Sequence, residues 1–458
     1  MASAPHSRPL YQSPPAYGAT YYAVPHQPVV NVVVVPARDE RHRTNSRFCR
    51  AFFWGIVIWV LLSGLVRSYM EVIHWHHRRR HHFPYAVQWP APWEYQIPDN
   101  LYMNYCTPSD GWKDLGRVDG RFWAAETSFY LLLSFVDTQL YFISRGDMSG
   151  GSSKFVVDNN LQRNLVRINV TVRYAEPFLR DLVKACEVFR TNDEMGVGLF
   201  TPHFQDDRSW NQFMWFETTI SLPSYPSNHI IENLETDLPN TVHEIKNLAP
   251  YFFENVHLQG SNAPITSDAF HFRQASIKTS NSPIIGTFNT TDSLVLKTMN
   301  GNIKVDVGAT ATRRSSPNVV LSTSNAPLEA NVHLFSTKGE AGQYEVATST
   351  SNSPLGVTIG TQPVDAIINF SGSTTNSPAV AVLNPLFEGT FDVHSTVFGP
   401  YVRADARLED PSGRGRKRFV FMRNGKRDIQ GSVSWDKGGP SMGKAVLKTT
   451  NSPATLNL

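Results

Sequence analysis

Five times this chain writes nearly the same corner: "KTSNSPI" at Lys278–Ile284, then "LSTSNAPL", "STSNSPL", "STTNSPA" and "KTTNSPA", ending at Leu328, Leu355, Ala379 and Ala454. The recurring asparagines are Asn262, Asn281, Asn300, Asn325, Asn352, Asn376 and Asn451, spaced 19, 19, 25, 27, 24 and 75 apart. A period of that length marks stacked units, because one short unit cannot bury its own apolar side. Alternating runs such as "SLVLKT" lead into the corner and "NIKVDVG" or "LGVTIG" lead out, which is the period of strands. Asparagine tolerates positive φ and bonds nearby backbone, and proline extends the residue before it, so the chain turns and leaves as a strand. Two units use Asn-Gly instead, at Asn300 and Asn424. Asparagines at equivalent corners are expected to form an amide ladder. The gap of 75 reads as three units, with weaker turns at 398–400 and 423–426.

The 458 residues suit about three units of roughly 150 each. Residues 100–255 read as mixed but mostly β, with one helix over Ala175–Arg190 whose Phe178, Leu179, Leu182, Val183 and Cys186 share a face. Residues 256–458 read as the repeat. The expected fold is mainly β: a β-solenoid-like stack, with a β-sandwich as the alternative, behind a small mixed α/β region.

Ala51–Val66 is an uncharged apolar run between Arg50 and Arg67. Its sixteen residues span about 24 Å of a roughly 30 Å hydrocarbon core. Phe48 and Cys49 extend it, and the flanking arginines snorkel. Trp54, Trp59 and the phenylalanines leave no polar face for a core helix. It reads as a single transmembrane signal anchor over 48–70, with the bilayer as partner. The sequons at Asn169, Asn289 and Asn369 all follow it, which favours a cytosolic N-terminus and a lumenal or extracellular C-terminal region. There Cys106 and Cys186 can pair, although sequence alone does not bring them within bonding distance.

Residues 1–47 form a Pro-rich, disordered cytosolic tail. Within it Pro14, Pro15 and Tyr17 make a PPxY motif of the kind that docks WW domains as a preformed polyproline II segment. Residues 71–99 form a linker that includes "HWHHRRRHHF". A metal site there competes with a basic collar at headgroup level, and the arginines favour the collar.

The corners "TSNSPI", "TMNGNI" and "TSNAPL", each between alternating strands, resemble the adhesin-like repeats of the Ser-Asn-Gly-Asp-Ile type. The layout of Pro-rich tail, anchor, "DLPNTVHEIKNL" and repeat array is similar to that of fungal single-pass membrane proteins. The resemblance covers about residues 230–458. It implies a β-repeat fold and supplies no catalytic residue. Pro often replaces the Gly-Asp pair here.

The charge excludes a nucleic-acid protein. The net is +3, and residues 1–50 alone hold +4. No GxSxG, HExxH, Walker or dinucleotide fingerprint occurs. Asp292, Asp306, Glu340 and Asp365 are scattered, without the paired carboxylates that glycoside hydrolysis needs. "GRGRKRF" offers Lys417-Arg418 as a processing site, or reads as a solvated hairpin loop. The expected function is a membrane-anchored display protein with a structural, adhesive or glycan- or protein-binding role and no cofactor. The alternatives are a trafficking adaptor that works through the tail, and a polysaccharide-acting enzyme.

Overall fold

The computed structural model describes residues 95–133, 139–190, 194–203, 213–224, 229–337, 341–436 and 443–458. The WW-ligand motif at Pro14, Pro15 and Tyr17, the segment 48–70 and the His/Arg stretch lie outside the described residues. Among the described residues no helix is long and apolar enough to cross a membrane.

Pro90–Leu458 make one compact unit. It is mainly β, with almost no helix. Alternation sets the two faces: Leu165–Tyr174 buries every second side chain, as a pleated strand with one face on a core requires. The strands arrange into two ladders. The first starts with Lys113–Val118, Phe122–Leu132, Leu165–Tyr174 and Met214–Pro223, paired antiparallel in that order. It then turns parallel through Gly151–Asp158 and Thr241–Asn247 into the repeat. The second starts with Leu101–Cys106, Lys184–Arg190 and Glu194–Phe200, antiparallel, and continues parallel through Gln139–Arg145, His229–Asp237 and Tyr251–Gln259. The long strands Ile265–Lys278 and Ile284–Lys297 run through both ladders and join them. One buried core extends from Trp112 to Leu456, with no break near residue 255.

In the repeat, successive strands stack like on like. Ile265, Ile284, Ile303, Leu328, Leu355, Ala379 and Ala454 lie in one inward row. Each is at most 1% exposed. Burying a Leu or Ile contributes about 1.5–3 kcal/mol, so this row is a principal source of cohesion.

Three expectations are corrected. The helix over Ala175–Arg190 is only Pro177–Asp181, and Lys184–Arg190 is a strand. That strand is buried on both faces: Ala185 joins the main core, while Cys186 and Val188 join a second cluster with Leu101, Tyr141 and Phe200. Adjacent buried residues mask a strand's alternation and mimic helical spacing. The region read as mixed α/β is therefore β. Third, the gap of 75 is not three rungs. Gly443–Thr449 pairs in parallel with Ile367–Ser373 on one side and Gly389–Ser395 on the other. Ala454–Asn457 likewise lies between Ala379–Val382 and Tyr401–Arg403. The last stretch of chain is thus the penultimate rung. The turn at 423–426 belongs to an antiparallel hairpin, Phe419–Asn424 against Asp428–Ser434, that covers the end.

Removing residues 443–458 takes out a rung from between two others. Hydrogen exchange should then show lost protection across Gly389–Ser434, while Ile303–Thr361 stays protected. Loss confined to the immediate neighbours of the deleted strands would contradict this placement. A second outcome concerns His243, which is fully buried. Its Nδ1 donates to the Thr241 carbonyl at 3.0 Å, and Nε2 accepts from the Thr236 hydroxyl at 2.8 Å. Burial lowers its pKa to about 4. The folded pKa lies below the unfolded one, so this stabilisation is full above about pH 6.5 and is lost as pH falls through about 4. Acid should cost about 3 kcal/mol by this route. A His243→Gln variant with unchanged pH dependence in denaturant melts would refute it.

Candidate functional site: the asparagine corner

The corner is where both ladders meet in each repeat, and its hydrogen bonds follow one scheme. Asn281 Nδ2 donates to Asn262 Oδ1 at 2.7 Å. Asn300 donates to Asn281 at 2.8 Å, Asn325 to Asn300 at 2.7 Å, and Asn352 to Asn325 at 2.7 Å. Asn376 donates to Asn352 at 2.6 Å and Asn451 to Asn376 at 2.7 Å. All seven asparagines are exposed and form one row, every donor pointing to the previous rung. The row begins one residue earlier than the repeats suggest: Asn262 donates to Asn240 at 2.8 Å. Asn240 sits in "LPNT", without the Ser/Thr lead-in, but its spacing of 22 from Asn262 lies within the period.

Each letter of the corner has a task. The leading threonines, Thr279, Thr298, Thr323, Thr350, Thr374 and Thr449, are buried. Thr323 Oγ1 donates to the Gly301 carbonyl at 2.9 Å, and Thr279 Oγ1 to the Ser261 carbonyl at 3.2 Å. The asparagine backbone N–H reaches the previous corner, as from Asn281 to Ser261 at 2.7 Å. The serine after the asparagine does the same: Ser353, Ser377 and Ser452 donate to the Asn325, Asn352 and Asn376 carbonyls at 2.9, 2.8 and 2.9 Å. Proline cannot donate, but its carbonyl accepts from the rung before, as Pro327 does from Ile303 at 3.1 Å.

The reason given above for asparagine needs correction. Among the described non-glycine residues only Asp119 and Asp365 have positive φ. The corner therefore selects asparagine for its amide, which donates and accepts at once, and not for its backbone. Gly301 is likewise selected for space: a Cβ there would stand 1.8 Å from the Ser282 carbonyl oxygen. Each amide spends one N–H and one lone pair on the row, leaving another of each toward solvent. A shallow groove runs beside it, lined by Pro283, Gly301, Lys304, Pro327 and Glu329.

The other singled-out residues are dispersed. The structure pairs Cys106 with Cys186 at 2.07 Å, pinning the outermost strand Leu101–Cys106 to its neighbour. Of the sequons, Asn369 is exposed on a strand face. Asn289 is half-buried and lies over Gly308, where a Cβ would stand 2.2 Å from its Oδ1. Asn169 is half-buried in a strand paired on both sides, and its Oδ1 accepts from Ser128 at 3.0 Å. Lys417 is exposed, but Arg418 is 6% exposed, stacked on Trp435 at 5.4 Å and donating to the Asp405 carbonyl at 3.1 Å. The folded unit therefore does not present Arg418 to a protease cleft.

Two ion clusters were not foreseen. Arg416 donates to Asp410 at 3.1 and 3.2 Å and to Glu388 at 2.8 Å, and holds the Asp410 carboxyl below its usual range. Arg190 grips Glu235 at 2.6 and 3.0 Å over the Tyr141 ring, whose hydroxyl burial pushes up to about 12. Asp410 is six residues from Arg416, but Glu388 lies 28 from it and Glu235 lies 45 from Arg190, beyond any local sequence signal.

No family profile matches the chain, and no curated protein matches it. Among solved structures, one from Clostridium sporogenes ATCC 15579, described as a "putative cell adhesion protein", is similar over 72% of this chain and 99% of that one, at 7% identity and a TM-score of 0.15. A likeness that slight carries no argument about fold or function.

Replacing Asn325 by Val removes one donor and one acceptor from the row. With about 1 kcal/mol per hydrogen bond and solvent nearby, denaturant melts should show a loss of roughly 1–2 kcal/mol. Asn325→Asp retains the acceptor toward Asn352 but cannot donate to Asn300 when ionised, so its loss should shrink on acidification. Equal cost at all pH values would argue against the amide row as the corner's determinant.

Proposed function

We propose that this chain is a membrane-anchored display protein. It presents a β-solenoid-like stack on the lumenal or extracellular side, in an adhesive, structural or binding role. The observation that carries this reading is the row of amides from Asn240 to Asn451. It locks successive rungs into register and leaves a regular line of unspent donors and acceptors at an exposed corner. A rigid, periodic, polar surface suits recognition of an extended partner such as a glycan or a surface protein.

Two further observations support it. The Cys106–Cys186 bridge accords with an oxidising compartment. On the repeat, surface carboxylates are engaged by cations. Arg273 binds both Glu254 and Asp292, at 2.5 and 3.0 Å, and Arg414 binds Asp365 at 2.8 Å. Carboxylates occupied by a guanidinium are not free to flank a glycosidic bond as a pair.

Expression with microsomes tests the topology. The full chain should gain a mobility shift that endoglycosidase removes and that Asn369→Gln abolishes, because Asn369 alone of the three sequons is exposed when folded. The C-terminal region should resist added protease until detergent opens the vesicles. An unshifted chain digested from outside the sealed vesicles would refute the reading.

A further inference from the structure

The two outermost strands at one end of the stack are Tyr401–Arg403 on the first ladder and Phe419–Asn424 on the second. The chain enters the unit at the opposite end, beside Leu101–Cys106. The fifteen strands of the second ladder separate the two ends by roughly 65 Å at ~4.8 Å per strand. The far end has an unusual surface. Val397, Phe398, Tyr401, Phe421 and Met422 are 63, 51, 59, 67 and 42% exposed. Cations stand among them: Arg403, Arg407, Arg423, Lys426 and Arg427 are all exposed. No ion pair joins any of these five to a described residue, in contrast to Arg414 and Arg416 nearby.

The charge is polarised along the stack. Tyr401–Asp428 holds nine basic and four acidic residues, a net +5, while the rest of 95–458 holds 23 and 31, a net −8. A mixed surface of phenyl, thioether and cationic groups matches one chemistry above others. The interface of an anionic bilayer accepts Phe and Met among its acyl chains and Arg and Lys at its headgroups. Glycan binding prefers flat indole platforms, and Trp435, at this end, is fully buried.

We propose that the end formed by Tyr401–Arg403 and Phe419–Asn424 docks on an anionic lipid surface. The docking tip then lies at the end of the folded unit opposite Leu101–Cys106, where the chain enters it. This deepens the binding reading by naming the partner, and it does not depend on which side of the anchor the unit occupies.

The test uses the full chain in pure phosphatidylcholine nanodiscs, floated with target vesicles of phosphatidylcholine alone or with added phosphatidylserine. Recovery with the phosphatidylserine vesicles should be about ten-fold higher or more, and should fall as salt rises. The triple variant Arg423→Glu, Lys426→Glu, Arg427→Glu should abolish the preference. The pair Phe421→Ser, Met422→Ser should weaken binding without changing the preference. All five positions are exposed, so circular dichroism should be unchanged, and Lys154→Glu on the flank should bind as wild type. Equal recovery on both vesicles, retention of binding in the triple variant, or a matching loss in Lys154→Glu would overturn the proposal. So would capture by immobilised heparin with no vesicle binding, which would make the partner a soluble polyanion. Failure here with the glycosylation result intact removes this inference and leaves the display reading in place.

Discussion

The hydrogen bonds that pass from each rung to the next govern everything else in this molecule. In a parallel stack every backbone N–H and C=O must find its partner on a neighbouring unit, and register is set wherever one face is buried. Flat strands of small and β-branched residues specify register weakly, since Ile on Leu is as good as Leu on Ile. The corner supplies the missing specification. An asparagine amide that must donate to one rung and accept from the next meets its partner at one offset only. The buried threonine and the carbonyl-seeking serine repeat that demand in the main chain.

The corner also explains why the loops on the other side of the stack vary. Spacings run from 19 to 27 within the array, and the excess residues fall between the strands that lead away from one corner and those that return to the next. Thr312–Ser315 closes one such excursion with an isolated bridge. Length changes there leave the corner register intact, because loop entropy grows slowly with length. The same logic accommodates the largest departure. The chain leaves the array at Val382, forms Gly389–Ser395, Tyr401–Arg403 and the hairpin, and returns so that Asn451 donates to Asn376. Matching amides, not adjacency in sequence, decide which rungs meet.

That distinction marks what could be read from the sequence. The seven asparagines, their strands and the parallel stacking rest on local chemistry repeated at a period, and such signals survive in one dimension. Asn240 was legible only through its spacing. The order of rungs was not legible, because 75 residues divide as readily into three units as into one rung plus an excursion. Lys184–Arg190 was misread for a different reason. It is covered on both faces, and the cover over Cys186 comes partly from Leu101, 85 residues away. The contacts of Arg190 with Glu235 and of Arg416 with Glu388, likewise, exist only once distant segments are side by side.

A parallel stack has two open ends, and each exposes a row of unpaired backbone groups that invites addition of further strands. Antiparallel pairing begins both ladders at one end and closes the second ladder at the other. At one, Lys113–Val118 and Leu101–Cys106 begin the ladders against Phe122–Leu132 and Lys184–Arg190, with Cys106–Cys186 fastening the outermost strand. At the other, Asp428–Ser434 folds back on Gly389–Ser395 in the opposite sense. An antiparallel strand spaces its donors and acceptors differently from a parallel one, so a further repeat unit cannot continue the register of that ladder. The amide row stops there too: beyond Asn451 the corner is Phe398-Gly399-Pro400, which has no amide to accept or donate. The terminating end thereby gives up the one device that recruits another rung. Its exposed Phe421 and Met422 and its cations are left free for contacts of a different kind from those that built the stack.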